Sequence, residues 1–426
     1  MGESVFEFHV LEPEQRKGAG ALDLAYWTYG IRTTTSLPTY PNNMSVVRRY
    51  SDFEWFRARL CEEYPYCIVP PIPEKDVQGT LEKIVGSSTQ AAARLHEYRQ
   101  RALQRFLTRL GAHPKIYTSQ LLENFLQMDE TEWERKIKAP IKTSDRSFAT
   151  TLGEGVNYAL TRQWNPSGGA AAASASGSGY SEALGSEETN SLVWQETQLY
   201  IQQLEDSIKM LRERVQMLVE RRRNTSQALH EFGIAFEKVG EVEKGISATQ
   251  LSNALIAVGQ QSEQLSTIYI EHAGDETRKV VETLSYYTGM CAAVRETLKR
   301  LQHATHRVES LNQHAADIAA QRDKAMLRGG MAERVAKLEN DYNALQGQKE
   351  LAKKELETGE STFREELRRF HREKQYDVKA ILKTFAELQL NYAMRMKESW
   401  EKLLPVVEHV QLNEGRSLQD SSSRQA

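Results

Sequence analysis

Arg48-Arg49-Tyr50-Ser51-Asp52-Phe53-Glu54-Trp55 stands where a strand gives way to a helix. Upstream, Ser45-Val46-Val47 is short and β-branched, which predicts a strand. Downstream, Ser51 and Glu54 have the S-x-x-E spacing of a capping box, and Phe53, Phe56 and Leu60 follow at helical spacing. The sequence therefore holds two arginines and a tyrosine at a helix N-terminus. That setting suits an anion: guanidinium offers paired donors, the helix end adds partial positive charge, and the ring adds a flat face. Taken alone, the triplet reads equally as surface arginines beside a core tyrosine.

Working outward, Val5–Leu11 alternates and Ala25–Thr34 is aromatic and β-branched, so both predict strands ahead of Val46-Val47. Helices are expected at 51–64, about 90–112 and about 119–128. The order gives a small α+β domain, a three-stranded meander with helices on one side. Pro70-Pro71-Ile72-Pro73-Glu74-Lys75 forms a stiff, polyproline-like loop ending in a lysine, and Arg99 precedes Leu103 by four residues on the next helix. The strand–helix arginines, the proline loop and Arg99, in this order and spacing, resemble the phosphoinositide-binding PX domain over roughly the first 130 residues.

From Trp133 to Glu188 the composition shifts. Phe148, Leu152, Val156 and Leu160 recur every four residues, one apolar stripe on a short helix at about 145–164 that Gly153 and Gly155 weaken. Two readings of the stripe stand: insertion into a membrane interface, or packing on a neighbouring domain. The Gly/Ala/Ser tract through Gly179 predicts disorder. From about 191 to 412 the chain reads as three long helices with sustained heptad-like apolar spacing, broken near Gly245 and at Gly329-Gly330. The second and third would each span about 120 Å at roughly 1.5 Å per residue, against a shorter first helix. Unequal antiparallel helices leave apolar surface that a second copy must cover, so a dimer is expected.

That pattern resembles a BAR domain, and PX followed by BAR resembles the sorting nexins. Arg369–Lys374 and Glu398–Pro405 look like third-helix segments of the retromer-associated sorting nexin 1 and sorting nexin 2 group, from whose pattern the Gly/Ala/Ser tract departs. The expected organisation is a PX domain at 1–132, a linker at 133–190, a dimeric all-α BAR domain of three antiparallel coiled-coil helices at 191–412 and a disordered tail at 413–426. The resemblance implies that Arg49 would hold the 3-phosphate of phosphatidylinositol 3-phosphate and that Tyr50 would stack beneath the inositol ring. Lys75 would meet the 1-phosphate and Arg99 the ring hydroxyls, while Arg48 is read as a supporting charge. It also implies a peripheral protein on the cytosolic face of early endosomes that senses or induces curvature in tubule-based sorting and retrograde transport. Its partners would be phosphatidylinositol 3-phosphate membranes, a homodimer or heterodimer mate from the sorting nexins, and the retromer trimer. The alternatives are a sorting nexin 4-like role in recycling and autophagy, or a coiled-coil scaffold without lipid specificity.

The bulk numbers agree. A 426-residue chain with a net charge of −3 carries no global basic signature, so no nucleic-acid partner is expected. Three cysteines without a C-x-x-C point away from a disulfide framework or zinc site and towards a reducing compartment. Neither a signal segment nor a run of about 18 apolar residues occurs. No G-x-S-x-G, Walker loop, H-E-x-x-H or Rossmann fingerprint is present, so no catalytic residue, metal or cofactor is expected and the chain is not read as an enzyme. Basic residues cluster at Arg295–Arg307 and Arg364–Lys383, and a subset is expected to face anionic lipid.

Overall fold

The computed structural model describes residues 5–16, 26–38, 40–73, 89–137, 187–244, 249–327 and 332–410. The chain divides into two compact units, Met1–Phe56 with Gly111–Thr197, and Arg57–Leu110 with Gln198–Ala426.

The first unit is built on an antiparallel sheet of β1 (Phe6–Val10), β2 (Glu14–Arg16), β3 (Tyr26–Thr35) and β4 (Asn43–Arg49). β1 pairs with β3 from Phe6↔Thr35 to Val10↔Ile31, and β2 with β3 from Glu14↔Thr28 to Arg16↔Tyr26. The two short strands are thus one edge interrupted by a bulge, three residues (Leu11–Pro13) opposing two of β3, and the meander keeps its three rows. β4 takes the other edge, from Thr28↔Arg49 to Thr34↔Asn43. β2 lies outside the expected strands because Glu14-Gln15-Arg16 has no apolar alternation; it forms because β3 offers it a template.

α1 (Tyr50–Glu63) begins at Tyr50, one residue earlier than the expected cap. Ser51 is therefore inside the helix. The carboxylate of Asp52, third in the helix, accepts the Arg49 backbone N–H at 2.7 Å. The reciprocal half of a capping box is present, shifted by two residues and carried by aspartate. α2 (Thr89–Gly111) follows in the second unit, and α3 (Gln120–Gln127) in the first. Ser119 caps α3 by accepting the Leu121 N–H. His113 is fully buried, its Nδ1 accepting the backbone N–H groups of Lys115 and Ile116, a structural role as its helix-end position suggests. Phe56 stacks on Phe125 with ring centroids 4.1 Å apart, and Phe53 and Trp133 meet Phe125 edge-on. Trp133 opens a single π turn (Trp133–Ile137) and is fully buried.

The long helices are α4 (Glu187–Glu243), which enters the second unit at Gln198, and α5 (Thr249–Glu276), α6 (Glu282–Leu327) and α7 (Ala332–Glu408), which lie within it. A π turn, Thr277–Val281, joins α5 to α6, so the expected second helix is continuous but locally widened by i→i+5 bonding. Just before it lies a polar layer. Fully buried Glu276 accepts from Arg222 Nε at 2.9 Å, Arg222 Nη2 donates to Gln389 Oε1 at 2.9 Å, and Gln389 returns to Glu276 at 3.3 Å. One side chain from each of three helices fixes their register here, the best-attested use of a polar layer in a coiled coil. Arg222 comes from the polar run Arg221–Asn224 of α4.

Beyond that layer α4 and α5 run close together on small residues. Ser226 faces Ser266, Gly233 faces Gly259 and Gly240 faces Ser252, each step seven residues along both helices in opposite directions. The paired serines donate to each other's carbonyls at 2.8 and 2.7 Å. A Cβ at Gly233 would lie 2.7 Å from the Gly259 carbonyl oxygen, so these helices can approach only without one.

The segment Tyr64–Pro73 and helix α2 run along α6 and α7. Ile68 N–H donates to Glu366 Oε2 at 2.9 Å, and Ile68 C=O accepts from Arg369. Arg101 holds Glu282 with two bonds of 2.6 and 3.0 Å, and Arg109 pairs with Glu373 and Asp377. Gly289 leaves room for Pro71, and Gly359 for the Tyr66 ring.

Candidate functional site

The two arginines at the β4–α1 junction are adjacent in sequence, so the strand alternation sends them to opposite faces. Arg48 points inward and is 1% exposed. Its Nε and Nη2 donate to the Phe125 carbonyl at 3.2 and 2.8 Å, Nη2 also to Met128 at 2.5 Å, and Nη1 to Val47 at 2.9 Å. The Phe125 and Met128 carbonyls end α3, where backbone acceptors lack intrahelical partners and the dipole favours a cation. The guanidinium also lies 5.0 Å from the Trp133 ring centroid. Burial pulls its pKa down to about 10, against Asp52, Glu130 and Asp129, which push it up, so it stays charged. Arg48 is a structural tie between the sheet and α3.

Arg49 points the other way, its side chain 33% exposed. The guanidinium carbon lies over the Tyr26 ring, 3.9 Å from its centroid, and Nη2 donates to the Tyr26 hydroxyl at 3.2 Å. Nε and Nη2 donate to Glu130 Oε1 at 3.3 and 3.2 Å, and Nη2 lies 3.6 Å from Glu134. Partial burial lowers its pKa, but Glu134, Tyr26 and Glu130 together hold it above the ordinary arginine value. Glu130 shares its second oxygen with Arg16 at 3.2 Å. Asp129 caps this acidic turn, accepting from the Glu132 N–H and the Thr131 hydroxyl, both at 2.7 Å. Those bonds hold its carboxyl below the usual range.

Of the four residues expected at a headgroup site, Arg49 and Tyr50 sit side by side where β4 becomes α1. Arg99 is half-buried on α2 in the second unit, near His96. Lys75 lies outside the described residues, as does the apolar stripe of Phe148, Leu152, Val156 and Leu160. Tyr26, Glu130 and Glu134 were not singled out by sequence. Tyr26 opens a strand as any aromatic might, and nothing in Asp129-Glu130-Thr131-Glu132 says which base it meets.

The basic clusters of the long helices are largely spent on internal pairs. Arg295 binds Glu205, Arg300 binds Glu296, and Arg369 is buried between Glu366 and Glu373. Lys299, Arg307, Arg368, Arg372, Lys379 and Lys383 stay exposed. Helix α4 divides its apolar residues between two faces. Ile201, Ile208, Val215 and Val219 are buried, whereas Leu211, Leu218, Phe232 and Val239 are each more than 40% exposed. The exposed set falls on a strict heptad that skips only Thr225.

Against known proteins, the family described as Vps5 C terminal like matches residues 174–406 and the PX domain family matches 39–129. The chain is 26% identical to sorting nexin 1 of Arabidopsis thaliana over 397 residues, covering 90% of this chain and 89% of that one. It is 24% identical to sorting nexin-1 of Mus musculus, covering 89% and 68%. A shorter match, 36% over 165 residues, covers 38% of this chain and 32% of sorting nexin-4 from Cryptococcus neoformans. Among solved structures, the SNX-BAR Mvp1 tetramer overlays with a TM-score of 0.64 at 17% identity, covering 93% of this chain and 99% of that one, a likeness of fold. The architecture is thus a PX domain followed by a mostly helical BAR domain.

Proposed function

Because this chain belongs to the sorting nexins that join a PX domain to a Vps5 C-terminal-like BAR domain, we propose that it binds phosphatidylinositol 3-phosphate on endosomal membranes. There it would act as a dimeric adaptor in tubule-based sorting and retrieval with retromer. One observation carries the lipid reading. Of two adjacent arginines, Arg48 is consumed by backbone carbonyls, and Arg49 is left partly open on an aromatic platform at a helix N-terminus. A guanidinium in that setting suits a phosphate monoester, which accepts paired hydrogen bonds in the guanidinium plane. Tyr50, Lys75 and Arg99 complete the proposed headgroup contacts. The exposed heptad of α4 supports pairing with a second copy or another sorting nexin. Two linked headgroup sites then add avidity that one modest site lacks. The stripe from Phe148 to Leu160 is proposed to lie in the membrane interface.

Sedimentation with vesicles tests this. Arg49→Ala, folded as judged by circular dichroism, is expected to lose at least about a hundredfold in affinity for phosphatidylinositol 3-phosphate vesicles, from the roughly 3–5 kcal/mol that an unpaired charge costs. Binding equal to wild type overturns the assignment. The stretch shared with a sorting nexin-4 favours a second reading, recycling and autophagy without retromer. Affinity purification from cells separates the two by whether retromer subunits accompany the protein.

A further inference from the structure

The edge of Arg49 that a phosphate would need is already taken. Nε and Nη2 point at one oxygen of Glu130, and Glu134, one helical turn further on, stands 3.6 Å from Nη2. A carboxylate and a phosphate monoester compete for the same guanidinium edge, since both accept two parallel N–H bonds. The competitor is firmly built. Asp129 caps the turn, and Trp133, between the two glutamates, is fully buried against Phe125 and Trp55. Arg16 holds the second oxygen of Glu130. Both glutamates nonetheless keep partly exposed side chains, 26% and 47%, so water can receive them when they leave.

We propose that Glu130 and Glu134 form an internal carboxylate latch, a stand-in for phosphate that Arg49 must release before it engages a headgroup. The proposal rests on the reading of Arg49 as the phosphate ligand. The latch sets affinity in two ways. It exchanges one anion for another rather than filling an empty site, and its two negative charges repel the incoming one. It keeps Arg49 over the Tyr26 ring, and it weakens lipid binding at each single site.

The test uses the full chain and phosphatidylcholine vesicles with and without phosphatidylinositol 3-phosphate, with soluble inositol 1,3-bisphosphate titrated in a separate arm. Glu130→Gln with Glu134→Gln keeps the shape and removes the charge. The expected result is binding about five- to tenfold tighter to vesicles carrying the lipid, the order of effect that partly exposed ion pairs have. The gain should vanish when Arg49→Ala is added, and plain vesicles should show none. A matching gain for the soluble headgroup assigns the latch to the phosphate itself, and a gain on vesicles alone assigns it to the headgroup as the bilayer presents it. Glu134→Gln alone, which leaves the Arg16–Glu130 pair in place, is expected to give a smaller gain of the same sign and guards against misfolding. Unchanged or weaker binding by both variants, while Arg49→Ala still abolishes it, overturns the latch and leaves the glutamates as supports for Arg49. A gain that persists without Arg49 or on plain vesicles overturns it as general charge repulsion. Wild-type binding by Arg49→Ala instead defeats the site reading beneath it.

Discussion

The β4–α1 junction and the α4–α5 seam both bring backbone near backbone, by opposite means. At the junction a charged side chain fills the gap, and Arg48 donates to three carbonyls from two elements. At the seam the gap is closed by having no side chain at all, with Gly233 and Gly259 each facing the other's carbonyl oxygen. The difference fixes the sign of a mutation's effect. Truncation should damage the junction and spare the seam, and enlargement should do the reverse.

The largest effect is expected from Arg48→Ala. It orphans the buried Phe125 and Met128 carbonyls, at about 1–3 kcal/mol each, and strips the packing over Phe125 and Trp133. Denaturant unfolding should show a loss of about 3–5 kcal/mol, whereas Arg49→Ala should stay within about 1 kcal/mol of wild type. Equal losses at the two positions would erase the distinction between a structural and a presented arginine. At the seam, Gly233→Leu should cost about 1–3 kcal/mol or more, because a carbonyl oxygen on a rigid helix cannot move aside. Ser226→Ala should be milder. If the ranking is reversed, the helices tolerate separation and the seam does not set their spacing.

A smaller effect on folding, though a large one on assembly, is expected on the other face of α4. Leu218→Glu with Phe232→Glu places charges on residues already 41% and 47% exposed, so the fold should survive. Sedimentation equilibrium should find the wild-type 191–412 fragment dimeric at micromolar concentration and the variant monomeric. A dimeric variant would move the interface elsewhere, to the exposed apolar residues of α7 such as Leu390, Trp400 and Leu404.

How much of this was legible follows from the range of each interaction. Local periodicity gave the helices nearly to the residue: 51–64 became Tyr50–Glu63, about 90–112 became Thr89–Gly111, and the second long helix ends at Leu327 as expected. The junction was legible because strand, turn and helix signals lie within ten residues of Arg49. Its partners were not. Glu130 stands 81 residues away, and no pattern in an acidic turn names the base it will find. The apolar spacing of α4 reads as one seam, but periodicity cannot say that Ile208 is buried while Leu211 is exposed. Gly233 and Gly240, which no periodic pattern marks, form the contact surface between α4 and α5, since small residues leave a mark only when the facing helix is known.

The smallest expected effect asks what keeps a buried base charged. Arg48 is nearly inaccessible, yet burial lowers it only to about 10, because Asp52, Glu130 and Asp129 oppose the cost. His96 on α2 is 6% exposed, and burial and then the charge of Arg99 act in the same direction, holding its imidazole at about 4. The folded chain therefore takes up this proton less readily than the unfolded chain, whose histidine titrates near 6.5. By linkage, the stability associated with neutral His96 is complete above pH 6.5 and is lost as pH falls through that value towards 4, below which this group adds no further slope. Carboxylates titrate over the lower part of the same range, so the comparison must be between variants. Melting temperatures of wild type and His96→Gln are expected to differ little in their pH dependence above pH 7. Between pH 6.5 and 4 they should diverge, wild type losing more. Arg99→Gln should flatten the wild-type slope by removing the second of the two causes. Parallel curves for all three would mean that His96 reaches water or a partner when charged, and that burial alone, without an adverse neighbour, does not decide which buried base keeps its proton.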